Sequence, residues 1–169
     1  FTFLVDAAAQ PARVLMLRER RHGQDGLGLP GGKVEAEDEG WPYATAAREM
    51  MEELAPPSQL EHHTLRSTCD MIRRAKGLAP HGGPGLIGPA AYHAPSRAVA
   101  LVHRLGRHNT PAAEWIVAHL PPRAPPPGST TEILGAQWVP LDQLLQPAWA
   151  RAHLHAHAAM LIDAVRGTL

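Results

Sequence analysis

The chain has 169 residues, with sixteen basic and sixteen acidic side chains, so its formal net charge is zero. This balance argues against binding to nucleic acid or membranes through bulk charge, and no apolar run approaches the roughly 18 residues of a membrane-spanning helix. The length fits one domain with a single core. Cys69 is the only cysteine, which favours a reducing, intracellular location in the cytoplasm or an organelle matrix.

The N-terminal segment predicts two strands. Phe1 to Asp6 is typical of a short strand, and Arg13 to Arg18 is a mostly continuous apolar run that fits a strand buried on both faces. The two could pair as a hairpin. Arg18 and the basic residues after it would either contact phosphate groups of a ligand or form a solvated rim.

A glycine pair and a charged helix follow. Gly31-Gly32 alone predicts a tight turn with positive φ. Helix formers and an apolar stripe between residues 43 and 54 predict a helix. It carries Glu49, Glu52 and Glu53 at positions i, i+3 and i+4, which share one helix face. These carboxylates repel one another, and oxygen ligands of this kind suit a hard divalent ion such as Mg²⁺ or Mn²⁺.

This order of residues resembles the signature of the Nudix hydrolases, which cleave nucleoside diphosphates linked to another group. The resemblance lies in the glycine pair, the acidic loop and Arg48-Glu49-Met50-Met51-Glu52-Glu53, covers about residues 29–55, and is looser in Glu132 to Asp142. The family's loop glutamate is replaced by Asp38, and Arg48 follows it by ten positions instead of eight. The resemblance implies a single domain over residues 1–169, folded as an α/β/α sandwich with a small mixed β-sheet.

The resemblance also assigns roles in a metal-dependent site. It implies that Mg²⁺ or Mn²⁺ is bound by the Gly31 carbonyl and by Glu49, Glu52 and Glu53. Arg48 is expected to reach across to an acid of the loop, Glu35 or one of residues 37–39, and to orient it through two hydrogen bonds. The expected contacts with substrate phosphates come from Lys33, Arg18 and Gly32.

The proton of the attacking water has two candidate acceptors, Glu52 and Glu132. Many Nudix hydrolases carry a glutamate near the position of Glu132, so the resemblance makes it an additional metal ligand or general base. Its alternative interpretation is an exposed loop acid. Trp41, Tyr92 and Trp115 are candidate aromatic platforms for a base.

The C-terminal half offers fewer motifs. A Pro/Gly-rich insertion at about residues 66–96 is expected to cover the substrate or to contact a protein partner. Residues 97–103 and 115–120 predict two strands joined by a turn. Trp138 to Leu141 predicts a further strand, and the chain from Leu141 onward predicts one last helix that packs on the sheet.

Three functions remain open at this point. The first is hydrolysis of a pyrophosphate linkage in a small nucleoside diphosphate derivative, such as a nucleotide, dinucleotide or nucleotide sugar. The second is a catalytically inert Nudix-fold subunit or binding module of a larger assembly. The third is processing of a capped or triphosphorylated RNA end, which needs a basic groove. The residues that could line this groove are Arg66, Arg73, Arg74 and Lys76.

Overall fold

The computed structural model describes residues 1–38, 42–54, 90–93, 98–105, 110–125, 129–167 and 169. The strands in these ranges are β1 (Thr2–Asp6), β2 (Arg13–Arg21), β3 (Gln24–Gly28), β4 (Ala90–His93), β5 (Ala98–Arg104) and β6 (Thr131–Pro140). The α-helices are α1 (Pro42–Leu54), α2 (Thr110–His119), α3 (Leu141–Leu144), α4 (Pro147–His153) and α5 (Ala156–Val165). A turn of 3₁₀-helix covers Ala36–Asp38, just before α1.

Strand β2 is the centre of the sheet. It pairs with β6 over residues 13–21, and it pairs with β1 over residues 13–15 and with β3 over residues 17–21, all antiparallel. Since β6 occupies one edge of β2 along its length, β1 and β3 share the other edge and meet end to end. There the N–H of Thr2 donates a hydrogen bond of 2.8 Å to the carbonyl of Pro30. The chain leaves β3 at this junction and enters the glycine pair.

The rest of the sheet extends from β1. Strand β1 runs parallel to β5, and β5 pairs antiparallel with β4, so the sheet is mixed. Among the described residues, no helix is long and apolar enough to cross a membrane.

Each face of the sheet is covered by helices. Leu15 and Leu17 of β2 pack with residues of α1 and α2, including Met50 and Ile116. Val14, Met16 and other residues of the opposite face pack against α5 through Ala158, Leu161, Ile162 and Val165. Successive side chains of a strand point to opposite faces, so odd-numbered residues at this part of β2 face α1 and even-numbered ones face α5. The predicted α/β/α sandwich with a mixed sheet is confirmed.

Two predictions about secondary structure are wrong. Residues 115–120 belong mainly to α2 and not to a strand: Pro111 fits the first turn of a helix, and the buried residues Ala113, Ile116 and Leu120 recur with helical spacing. The C-terminal segment is three helices and not one. A break precedes Pro147, and a second occurs at Leu154, whose extended backbone bridges to β3.

Two further regions differ from the sequence-based interpretation, and some predicted features lie outside the described residues. Glu132 lies in strand β6, although it was expected in a loop. Residues 90–93, assigned to the insertion, form strand β4 at the edge of the sheet. The rest of the predicted insertion, residues 66–89 and 94–96, lies outside the described residues, together with Trp41 and the four basic residues of the proposed RNA groove.

Candidate functional site

Helix α1 presses two of its glutamates onto the glycine pair. The backbone N–H of Gly31 donates a hydrogen bond of 2.8 Å to Oε2 of Glu53. The carboxylate of Glu49 lies against the Cα of Gly32, where a β-carbon would collide with it. Gly31 has a φ of 146°, a region that glycine adopts far more readily than other residues. Gly31 therefore gives the backbone its unusual path, and Gly32 leaves space for the carboxylate of Glu49.

Arg48 connects the acidic loop to the helix. Its Nε and Nη2 atoms donate to Oδ1 and Oδ2 of Asp38 at 3.2 and 3.0 Å, and Nη2 also donates to the carbonyl of Lys33 at 2.8 Å. The predicted two-point contact with a loop acid is therefore present, and the acid is Asp38. Arg48 Nη1 lies 3.1 Å from both Glu49 and Glu52, so a single guanidinium pairs with acids of the loop and the helix.

Asp38 is the most firmly held acid of the site. It is 3 % exposed, and besides Arg48 it accepts hydrogen bonds of 2.9 Å from the hydroxyl of Thr45 and from the N–H of Glu35. These donors favour the charged carboxylate, and the pKa of Asp38 falls to about 2. The two extra loop positions therefore do not prevent the loop acid from meeting Arg48.

The pKa values of Glu49 and Glu53, on helix α1, shift in the opposite direction to that of Asp38. Burial raises the pKa of Glu53 to about 8; the Gly31 N–H acts against this shift, while the charges of Glu49 and Glu19 add to it. Burial also raises the pKa of Glu49, with Arg48 acting in the opposite direction. Carboxylates whose charged form is disfavoured in this way gain from a nearby cation.

The third helix glutamate lies closer to solvent. The side chain of Glu52 is 56 % exposed and accepts a hydrogen bond from Arg48, while its backbone carbonyl accepts one from the guanidinium of Arg123. The side chain of Lys33 is also exposed, and its carbonyl belongs to the Arg48 network. These positions suit groups that meet a ligand arriving from solvent.

The donor set fits a hard divalent cation in its chemistry. Glu49, Glu52 and Glu53 offer carboxylate oxygens on one helix face, and Glu49 and Glu53 are held at a glycine pair that carries no side chains. Within the described ranges, however, no three Asp, Glu, His or Cys side chains are arranged to hold a metal ion. Glu49 and Glu52 pair with Arg48 and Glu53 with the Gly31 N–H, so binding requires these side chains to turn.

Two predicted site residues lie away from the helix glutamates. Glu132 is a cross-strand neighbour of Arg20, and the two side chains lie 3.4 Å apart in an exposed ion pair that also includes Asp25. The adjacent Ile133 is buried under α1, so strand alternation directs Glu132 to the other face of the sheet. Arg18 follows the same alternation, with Val14 and Met16, and is exposed on the face opposite α1.

The aromatic candidates are placed only in part. Trp115 lies on α2, and its ring stacks on that of His119 with centroids 4.6 Å apart. Tyr92 lies on β4. The contact with His119 gives Trp115 a local role within α2.

One acid of this region was missed in the sequence. Glu19 of β2 is 1 % exposed, and its Oε2 accepts a hydrogen bond of 2.6 Å from Nε of Arg21. Its carboxylate lies on the Cα of Gly28, and its charge acts on Glu53. The available signal was alternation: Leu15, Leu17 and Glu19 are two residues apart and share the face under α1.

Comparison with known proteins agrees with this geometry. The family model described as NUDIX domain matches residues 2–84, which include β1 to β3, the glycine pair and α1. No match was found among curated proteins. The matched segment contains the residues that bring Arg48, Asp38 and the helix glutamates together, and the mixed sheet between helices is the fold expected for them. Residues 2–84 of the chain carry a NUDIX domain, the domain of the Nudix hydrolases.

Proposed function

We propose that the protein hydrolyses the pyrophosphate linkage of a nucleoside diphosphate derivative, with Mg²⁺ or Mn²⁺ as cofactor. The observation that carries this proposal is the pair of acids, Glu49 and Glu53, held against the glycine pair with pKa values raised by burial. Burying repelling carboxylates weakens a fold unless a cation or proton compensates their charge. A function that uses the cation accounts for their presence.

The proposed cation ligands are Glu49, Glu52, Glu53 and the carbonyl of Gly31. Once bound there, a divalent ion would neutralise pyrophosphate oxygens and make a water molecule more acidic. Lys33 and the backbone of Gly32 would contact the substrate phosphates. This role is supported by the exposure of Lys33 beside the glycine pair and by the lack of a side chain at Gly32. Arg48 holds the loop and the helix together through Asp38 and keeps the acids in position.

The proton of the attacking water needs a carboxylate on the solvent side of the site. Glu52 suits this role because its side chain is half exposed and lies on the same helix face as Glu49 and Glu53. Glu132 is the alternative acceptor. Its ion pair with Arg20 on the other face of the sheet favours Glu52.

The test is product release from a panel of nucleoside diphosphate derivatives with Mg²⁺ or Mn²⁺. The panel contains dinucleotides, nucleotide sugars, coenzymes, nucleoside triphosphates and a capped RNA end. We expect turnover of at least one member, a loss of about 10³-fold or more in kcat for Glu53→Gln and for Glu52→Gln, and no turnover with a chelator. Glu114→Gln is the matched control, because Glu114 lies on α2 and pairs with Arg13.

The inert-module alternative makes the opposite prediction for the same experiment. Native protein that turns over no panel member and binds neither metal would contradict the enzymatic function. It would favour a Nudix-fold binding module, whose partner contacts would then be sought through residues 66–96.

A further inference from the structure

Glu19 has a buried carboxylate oxygen without a partner in the structure. Arg21 contacts Oε2, whereas Oε1 has no hydrogen bond although the residue is 1 % exposed. A buried acceptor that lacks a partner destabilises the fold, and more so when it is charged. The family signature does not account for this acid, which lies on β2, outside the loop and helix that carry the signature.

The position of Glu19 places its carboxylate on the side of the helix glutamates. It follows Leu15 and Leu17 on the face that packs under α1, and its cross-strand neighbour is Ile133 in the same cluster. Its charge and that of Glu53 interact. Three glutamates from two elements, Glu19 on β2 and Glu49 and Glu53 on α1, are therefore directed to one region beside the chain between Gly28 and Gly32.

Gly28 gives the Glu19 carboxylate the space that it occupies. A β-carbon on Gly28 would overlap both oxygens of the Glu19 carboxylate, just as one on Gly32 would overlap that of Glu49. Gly28 ends β3, four residues before Gly32. The same short stretch of backbone therefore omits a side chain at two points, and a carboxylate fills the space at each.

The cations at this place compensate its acids only in part. Arg48 is engaged by Asp38, the Lys33 carbonyl, Glu49 and Glu52, and Arg21 reaches only one oxygen of Glu19. The charge of the Phe1 α-amino group acts on Glu49 and Glu53, but burial lowers the pKa of this group. A water molecule on Oε1 would satisfy its hydrogen bond and leave the excess negative charge. A divalent cation would satisfy both.

We propose that Glu19 supplies a further carboxylate ligand, through Oε1, to the divalent cation held by the helix glutamates. The inference rests on the proposed metal-dependent function and adds a ligand from the central strand. With ligands from β2 as well as α1, the position of the cation is fixed relative to the sheet and not only to the helix. The unpartnered oxygen then has its partner when the cation binds.

The experiment is a calorimetric titration of Mn²⁺ into the metal-free full chain. We expect Glu19→Gln to weaken Mn²⁺ binding at least tenfold. Arg21→Gln should leave the affinity within about threefold of native or increase it, since it removes a cation that competes for the same carboxylate. Asp25→Asn, a change at an exposed acid of β3 that pairs with Arg20, is the matched control and should bind as native does.

The Arg21 variant separates a ligand from a structural anchor. If Glu19 only holds Arg21 in place, both substitutions will weaken Mn²⁺ binding equally, which would overturn the proposal. Mn²⁺ affinity of Glu19→Gln within twofold of native would overturn it as well. Should Glu19→Gln not fold, Glu19→Asp withdraws the carboxylate by one methylene. The Mn²⁺-induced rise in its Tm should be smaller than in native protein, and an equal rise would overturn the proposal.

The two proposals fail in different ways. If native protein binds Mn²⁺ and hydrolyses a substrate while Glu19→Gln binds the ion equally well, only the role of Glu19 is wrong. If native protein neither binds Mn²⁺ nor turns over any substrate, the proposed function is wrong, and the role of Glu19 falls with it.

Discussion

Both ends of strand β2 carry buried or half-buried charged side chains, but the two ends differ in whether each acid has a partner. At the first end, Arg13 pairs with Asp6 at 3.0 Å and with Glu114, and its guanidinium lies 4.4 Å from the ring centre of Trp138. The indole N–H of Trp138 donates to the other oxygen of Glu114 at 3.1 Å. Each acid has a partner, and the network joins β1, β2, β6 and α2.

At the other end the acids outnumber their partners. Glu19 leaves one buried oxygen unpaired, and burial raises the pKa of Glu53 and of Glu49. Every acid of the first, balanced end pairs with a cation or with an indole N–H, whereas burial disfavours the charged forms of Glu49 and Glu53 at the other end. One end of β2 therefore stabilises the fold, and the other carries the charges on which the proposed function depends.

The largest effect is expected for Arg48→Ala. The substitution leaves the nearly inaccessible Asp38 without its main cation and separates the loop from α1. We expect a loss of about 3–5 kcal/mol in the free energy of unfolding, measured by urea titration at pH 7. Arg166→Ala is the control, since its ion pair with Asp163 and its hydrogen bond to the Leu145 carbonyl are both exposed, and should change stability by about 1 kcal/mol or less. Comparable losses in both variants would contradict a central role for Arg48.

The next largest effect on stability is expected for Gly32→Ala. The added methyl group collides with the carboxylate of Glu49, so helix α1 or the loop must shift. We expect a loss of about 1–3 kcal/mol in stability, together with weaker metal binding. Gly167→Ala provides the comparison because a β-carbon there meets no atom within 4 Å. If Gly32→Ala is as stable and active as the control, the carboxylate does not need the space that the glycine provides.

The pH dependence of metal-free stability should show the raised pKa of Glu53. The pKa is about 8 in the folded chain against 4.5 unfolded, so the folded state holds the extra proton and stability falls as pH rises to about 8. His157 acts oppositely at lower pH, because burial lowers its pKa from 6.5 to about 4 and stability there rises with pH.

Above pH 6.5 the α-amino group of Phe1 also contributes, because burial lowers its pKa below 8.0 and stability from this group rises with pH up to that value. The Glu53 effect is therefore measured as a difference between native protein and Glu53→Gln. Urea titrations between pH 6.5 and 8 should show that native protein loses stability relative to Glu53→Gln by up to about 1.4 kcal/mol per pH unit, or about 2 kcal/mol in all. Saturating Mg²⁺ should reduce the slope of native protein. An identical slope in Glu53→Gln would assign the effect to other groups.

A smaller effect is expected at the balanced end. Trp138→Phe keeps an aromatic ring beside Arg13 but removes the N–H that donates to Glu114. We expect a loss of about 1 kcal/mol in the free energy of unfolding and unchanged metal affinity. A marked fall in metal affinity would show that the two ends of β2 are coupled.

The smallest effect is expected for Glu132→Gln. Its ion pair with Arg20 is exposed, so stability should change by less than about 0.5 kcal/mol. Hydrolysis rates should remain within about threefold of native if Glu52 accepts the proton. A fall of a hundredfold in kcat would instead assign that role to Glu132.

Local patterns in the sequence predicted the part of the site that depends on near neighbours. The spacing of Glu49, Glu52 and Glu53 follows from helix geometry, and the contact of Arg48 with a loop acid was predicted correctly. The contact of Arg48 with its neighbour Glu49, at 3.1 Å, was not predicted. Long-range placement was harder. Glu132 was assigned by its position ahead of Trp138, but strand alternation turns it away from α1, and only the pairing of β2 with β6 reveals this.

The same limit applies to Glu19 and to the C-terminal half. In the sequence Glu19 lies among basic residues at the end of a strand, and nothing there predicts that it is buried. The burial follows from the packing of the sheet and helices around it. The apolar segment from Trp115 to Leu120 has the composition of a strand, yet Pro111 and the two alanines that follow it begin a helix whose buried face completes one core. Tertiary packing decided between these possibilities, and propensity alone did not.

The number of protons released when Mg²⁺ binds the metal-free protein at pH 7.5 tests directly whether the cation replaces the proton on Glu53. Calorimetry in buffers of different ionisation enthalpy measures it. With a pKa of about 8, Glu53 is mostly protonated at this pH, so binding should release most of one proton, less at pH 9 and less in Glu53→Gln. Binding without proton release, or with equal release in Glu53→Gln, would contradict the claim that the cation replaces a proton on this buried carboxylate.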